Sequence, residues 1–324
     1  MVNDALRTIK NQPHQVLTAA GTDTIRAYED AATAVGRLDA AGALALSGLQ
    51  RLLVLRCVAQ SLGASRDGMI ALLRPDGEGD QALRAYRDAL HAGASRARGG
   101  VVPSLATLQE LLAIEPLEGG EVVALDALLR DAHEKTPPIL KAALAAGAIL
   151  RSAAHREGTA NAGNSTKLAA LAVSLVLCVG GATTDAWLTL PLFDDESLSD
   201  GPGEGDTGWD EWLGTAFGSL AREARSAQRG VSLARDLADS DIVRVSEALG
   251  RAAYSALEVL ALLRAELVIT VPHAARALEL TPPTAGAAVA RLSELGIAHE
   301  VTGRARSRAF VYGALVDALA PAAQ

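Results

Sequence analysis

The chain has 324 residues, of which 49% are hydrophobic but only 3% aromatic, and a formal net charge of −8. That length suits a main domain of about 200–250 residues plus a small module. The negative charge argues against a protein that coats nucleic acid without specificity, which needs a basic surface, though it leaves room for a local basic patch.

Ala, Leu and Val supply most of the apolar residues. Ala and Leu lose little side-chain freedom in a helix, and the β-branched runs that favour strands are few and short. The expected fold class is therefore all-α. Cys57 and Cys178 sit in apolar runs and read as buried thiols in a reducing cytoplasm. No Cys/His cluster has metal-ligand spacing, so no metal or cofactor is expected. The segment Met1–Ala5 lacks the basic and apolar pattern of a secretory signal. The apolar run from Leu168 to Val179 is shorter than the roughly 20 residues of a membrane span. It reads as a central helix, apolar on every side because it is surrounded. A cytoplasmic protein without a membrane partner is the expectation.

In chain order, residues 1 to about 20 are weakly patterned and read as a loose arm. Helical spacing begins at Thr24, with a break expected at Gly36-Arg37-Leu38-Asp39 and a second helix over Leu44–Leu62. Arg74–Asp80 has turn composition, and Gln81–Ala92 forms an amphipathic helix with Leu83, Tyr86 and Leu90 on one face. Gly99-Gly100 ends a loop, after which Ser104 caps a helix. A helix from Val122 to His133 comes next, then one entered through Thr136-Pro137-Pro138 and reaching about Ala154. Gly158–Asn164 reads as a small-residue loop, and the acidic, glycine-rich stretch 194–211 as a solvated loop. Helices are then expected over Trp209–Ala227, Gly230–Leu237 and Asp241–Glu266.

The strongest local signal follows. Val268–Val271 is a short strand, Pro272–Leu278 a two-turn helix, and Thr281-Pro282-Pro283-Thr284 a turn that caps a helix over Ala285–Leu295, ended by Gly296. Two strands, Ile297–Val301 and Arg308–Tyr312, flank a turn at Thr302-Gly303-Arg304. Helix, turn, helix and hairpin in this order make a winged helix-turn-helix. The second helix would enter a major groove with Thr284, Ala287 and Ala288 toward the bases and Arg291 further along. Thr281 belongs to the same edge. If 304–308 is strand, Arg304, Arg306 and Arg308 share one face, suited to phosphates or the minor groove. Residues 271–324 hold five arginines against four carboxylates, a net of +1. DNA is the expected partner of this module, and packing or dimerisation is the other use of the same motif.

These residues resemble the winged helix that closes many bacterial Fic proteins, most clearly in Leu295-Gly296-Ile297, Glu300–Arg308 and Phe310-Val311-Tyr312. Further segments are similar to that family in the same order: Tyr28–Ala31 with Gly36–Asp39, Ala85-Tyr86, Ser104-Leu105, Pro137–Leu144 and Trp209-Asp210-Glu211-Trp212-Leu213. The resemblance implies a multi-helix Fic-like bundle with a C-terminal module carrying a small β-wing. Its divisions would be 1–100, 101–250 and 251–324.

Active Fic enzymes transfer a nucleotidyl group to a protein hydroxyl through H-P-F-x-D-G-N-G-R-x-x-R. The corresponding stretch here, Gly158–Ala169, retains only Gly163 and Asn164, a vestigial anion loop. Gly158 replaces the base, Ala162 the metal ligand, and Thr166 and Ala169 the phosphate-binding arginines. Loss of a base alone costs roughly 10²–10⁴-fold, so the resemblance implies a pseudoenzyme with no catalytic residues. The family's inhibitory S/T-x-x-x-E-G/N helix has its nearest counterpart in Ala59–Arg66, where Ser65 replaces the Glu, and its flap is reduced to Glu118–Glu121. His155, Arg156 and Lys167 are the remaining polar groups near the degenerate motif.

Three functions stay open at this point. The first is a transcription regulator that binds DNA as a homodimer. The second is an interaction scaffold or antitoxin-like partner that never touches DNA. The third is an atypical nucleotide-binding protein or adenylyltransferase using Gly163, Asn164 and His155.

Overall fold

A computed structural model describes residues 20–45, 47–74, 80–97, 102–115, 125–129, 136–154, 159–193, 196–203, 205–304 and 306–321. The N-terminal arm, Pro75–Gly79, Gly99-Gly100, Glu118–Glu121, His155 and Arg156 lie outside the described residues. The rest is mostly helical, with a single three-stranded sheet among the described residues.

Helix α1, Thr22–Ala43, runs without interruption through Gly36, so the break expected there does not occur. One glycine costs a helix about 1 kcal/mol, and the buried stripe of Ala31, Ala34, Val35, Leu38 and Gly42 keeps its period across it. Packing outweighs the local penalty. Helix α2, Ser47–Gln60, is buried on nearly every side, Arg56 included. Helix α3 spans Arg66–Leu73 and α4 Gln81–Ala97, the latter burying Leu83, Tyr86 and Leu90 as its pattern requires. Ser104 caps α5, Leu105–Leu112, by accepting from Thr107 N at 3.3 Å. Of the helix expected over Val122–His133, only 125–129 is described, and it is helical.

Helices α6, Pro138–Ala154, and α7, Thr159–Val179, pack against each other. From Leu168 to Leu177 every side chain of α7 is buried, which is the surrounded helix that its composition predicts. The acidic stretch is less loop-like than expected. It contains a helical turn, α8 (Glu196–Ser199), and the start of α9, Gly205–Leu249.

At 45 residues α9 is the longest element, and it replaces the separate helices expected over 209–249. It runs on through Gly230, where the helix over Gly313–Leu319 crosses it. A Cβ at Gly230 would lie 2.5 Å from Ala318 O, so only glycine permits the approach. Trp209 and Trp212 anchor the first turns, edge to face at 6.2 Å, and Trp212 Nε1 donates to Leu198 O at 3.2 Å. Asp210 accepts from Gly21 N at 3.0 Å, which ties the starts of α1 and α9 together.

A 3-10 turn, Gly250–Ala252, separates α9 from α10, Ala253–Glu266. Then come β1 (Val268–Thr270), α11 (Val271–Ala277), α12 (Pro282–Glu294), β2 (Ala298–Glu300), β3 (Ala309–Tyr312) and α13 (Gly313–Leu319). The sheet order is β1-β3-β2, antiparallel throughout, with Ile269 opposite Phe310 and His299 opposite Val311. From Val268 to Tyr312 the observed elements fall within a few residues of those expected; the helix expected over Asp241–Glu266 is instead divided by the 3-10 turn, and α13 was not expected.

Candidate nucleic-acid interface

Two threonine caps build the C-terminal module. Thr270 Oγ1 accepts from His273 N, and Thr281 Oγ1 from Thr284 N, each at 3.3 Å. Each is followed by a proline in the first turn, where the missing N–H costs nothing. Gly296 ends α12 with φ +68°, a left-handed turn that a residue with a Cβ adopts only at a cost. The turn between α11 and α12 sets them as neighbours, and α10 packs on α12 from behind.

The outer face of α12 is left uncovered by the rest of the described chain. Pro282, Pro283, Thr284, Ala287, Ala290 and Glu294 are exposed along it. Ala288, expected on this face, is instead fully buried with Ala285, Val289 and Leu292, because the helical period turns it toward α10. Thr281 and Thr284 are exposed, but their hydroxyls lie 2.8 Å apart and serve the cap. Arg291 turns backwards: its Nη1 donates to Ala252 O at 3.2 Å and closes the turn before α10. The face is thus almost neutral, with little capacity for polar contact to base edges.

The β2–β3 connection carries the positive charge. Arg304, Arg306 and Arg308 are all exposed. They do not lie on a strand as expected, since β3 begins only at Ala309. Ser307 adopts φ +55°, in the left-handed region, and this breaks the alternation that would have aligned the three side chains. The turn is instead shaped by Glu300, which accepts from Thr302 N at 2.7 Å and Gly303 N at 3.0 Å and also from the Thr302 hydroxyl. Those contacts, led by the Thr302 hydroxyl and helped by nearby Arg308, hold the Glu300 carboxyl below its ordinary pKa. Arg308 also lies over the Phe310 ring, 5.6 Å from its centre.

The module is tied to the body at several points. Tyr312 OH donates to Asp241 Oδ2 at 2.6 Å, and Arg264 pairs with Asp239 at 3.2 Å, both on α9. Ser47 and Arg51 of α2 donate to the carbonyls of Ala265 and Glu266. Deepest is Arg56, with Nε and Nη2 on the Glu223 carboxylate at 2.8 and 3.2 Å and Nη1 on Leu319 O and Ala320 O at 3.0 and 3.1 Å.

The stretch expected to be a small-residue loop is helical from Thr159 onward, and Gly158 lies outside the described residues. Gly163 and Asn164 are the fifth and sixth residues of α7, so the vestigial anion loop expected there is corrected to helix. An anion nest needs successive N–H groups free of helical bonding. The stretch is short-chained and rich in Ala, and Ser165 and Thr166 within it are buried. Lys167 is partly buried on the same helix. The segment Ala59–Arg66 spans the end of α2, a turn and the start of α3.

Among the described residues, no group of three or more His, Cys, Asp and Glu could hold a metal ion, and no helix is long and apolar enough to cross a membrane. A feature that sequence reasoning missed is a groove of about 490 Å³ lined by Gln50, Arg51, Arg87, Asp88, His91 and Asp185 among others. Its wall on α2 is the one that holds the end of α10. No family model matches the chain, and no curated protein matches it.

Proposed function

We propose that the chain is a DNA-binding transcription regulator whose α10–β3 segment acts as a winged helix-turn-helix, mounted on a Fic-like helical body without nucleotidyl-transfer chemistry. One observation carries the reading: α12 presents an uncovered outer face beside a turn bearing three exposed arginines. The succession α10, β1, α11, α12, β2, β3 with sheet order β1-β3-β2 supports it. So do Gly158, Ala162, Thr166 and Ala169, which stand where a Fic enzyme needs its base, metal ligand and arginines.

Because α12 offers few polar groups, recognition on this reading leans on phosphate contacts and groove shape more than on base edges. Arg304, Arg306 and Arg308 supply the phosphate contacts, Thr281 and Thr284 the groove-facing hydroxyls, and Arg291 positions α12 from behind. Two copies act together on paired half-sites.

The test is capture of sheared DNA from the source genome by the purified protein, washed at graded salt. A few discrete sites, lost as salt rises, are expected. On such a site the Arg304→Ala/Arg306→Ala/Arg308→Ala protein should bind weakly, with a log–log salt slope shallower by about 2–3 per half-site, or about 5 for the bound pair. Capture of no site at any salt, or a triple variant that binds like wild type, would refute the proposal.

A further inference from the structure

The C-terminal half of α9 is covered along one narrow stripe only. Gly230, Val231, Ala234, Ala238, Asp241 and Val245 face the body. On the opposite side, Arg229, Leu233, Asp236, Ser240, Val243 and Glu247 are all exposed. Leu233 and Val243 are 50% and 55% exposed, a high value for large apolar residues on the longest helix. The six follow one another at intervals of four and three residues. This is the spacing of a seam that meets another helix lengthwise. At about 100° per residue the seam points about 150° away from the buried stripe, so a partner helix can approach it without meeting the body of its own chain.

We infer that this seam is a homodimer interface in which two copies of α9 pair antiparallel about a twofold axis near Ala238. A 4-3-4-3-4 stripe is symmetric about its middle whatever its residues, so the spacing alone decides nothing. The chemistry does. In the antiparallel register, Arg229 meets Glu247 of the second copy, Leu233 meets its Val243, and Asp236 meets its Ser240. Unlike charges close both ends and apolar residues pair between them. Parallel pairing in register would set Arg229, Asp236 and Glu247 each against its own copy, placing like charges together at three levels.

Two flanking residues fit the same register. Leu237, partly buried, lies next to the axis and meets its own copy there. Asp239 also approaches its own copy, but its charge is already paired with Arg264 at 3.2 Å. Such a contact is isologous: one patch serves both subunits and growth stops at two. It depends on α9 alone and is independent of whether the protein binds DNA.

Sedimentation velocity of the full chain without DNA, over a wide concentration range, tests the inference. Wild type should show a reversible monomer–dimer equilibrium. Leu233→Asp should remain monomeric. Arg229→Glu and Glu247→Arg should each weaken the dimer about 5- to 30-fold, since two ion pairs turn repulsive in each case. The Arg229→Glu/Glu247→Arg double variant should recover to within about threefold of wild type. These side chains are exposed, so thermal melting at concentrations where wild type is monomeric should be unchanged, which separates lost pairing from lost folding. A wild-type monomer at every concentration, a dimer indifferent to Leu233→Asp, or a double variant weaker than either single variant would each overturn the inference.

Discussion

Arg56 offers a direct test of what holds the C-terminal module in place. Its side chain is 3% exposed, and it binds a Glu223 side chain that is itself 11% exposed. Its other N–H groups reach Leu319 O, Ala320 O and Ser226 Oγ at 3.0–3.1 Å. Arg56→Ala strands the Glu223 carboxylate, uncaps two carbonyls at the end of α13 and leaves a void. Removing one partner of a buried pair costs about 3–5 kcal/mol. With an unfolding entropy of roughly 2 cal/mol/K per residue, each kcal/mol corresponds to about 1.5 °C in a chain of this size, so the melting temperature should fall by roughly 5–7 °C. Arg56→Met/Glu223→Leu removes both charges and keeps the volume, and should recover most of that loss. Scanning calorimetry of the three proteins decides the matter. If Arg56→Ala melts with wild type, or the double variant melts as low as the single, the buried pair is not what secures α13.

Gly230→Ala gains about 1 kcal/mol of helix propensity but drives a methyl group to 2.5 Å from Ala318 O. Overpacking against backbone costs about 1–3 kcal/mol, so a net loss in melting temperature is expected, and a stabilised variant would refute the close crossing of α9 and α13. Burial, only partly offset by hydrogen bonds from Ser174 and Ser61, pushes the Cys57 thiol up to about 12. The unfolded chain releases this proton first, near pH 8.5, so Cys57 contributes a fall in stability as pH rises from about 8.5 toward about 12 and nothing below that window. Urea titrations should show this alkaline slope flattened in Cys57→Ala; an identical slope would place the thiol in a wetter setting.

Legibility tracked how local the determining interactions are. The strands and caps after Val268 follow from Thr-Pro and Gly signals within a few residues of where they act, and they were placed closely. The breaks wrongly expected at Gly36–Asp39 and between Ala227 and Gly230 come from the same local rules, overridden by partners about 90 residues away or more: α9 lies along α1, and α13 crosses α9. The small-residue stretch from Thr159 has loop composition but packs as helix beside α6. Arg304, Arg306 and Arg308 alternate in sequence, yet the left-handed Ser307 removes the strand that alternation assumed. Arg56 was overlooked as an ordinary charge, although its position within Leu52–Val58, apolar before and after, is the signal of a buried one. The groove beside Arg51 and Arg87 has no local signature at all, because α2, α4 and the segment at Asp185 meet there only in three dimensions.

The reach of Arg56 has a consequence for how the chain is made. Glu223 follows it by 167 residues, and Leu319 and Ala320 by 263 and 264. At a synthesis rate of about 5–20 residues per second, roughly 13–53 s separate the arginine from its last acceptors. Throughout that interval α2 carries a charge that its final environment cannot yet shelter. The nascent body must therefore wait, open at this seam, until α13 leaves the ribosome and closes it.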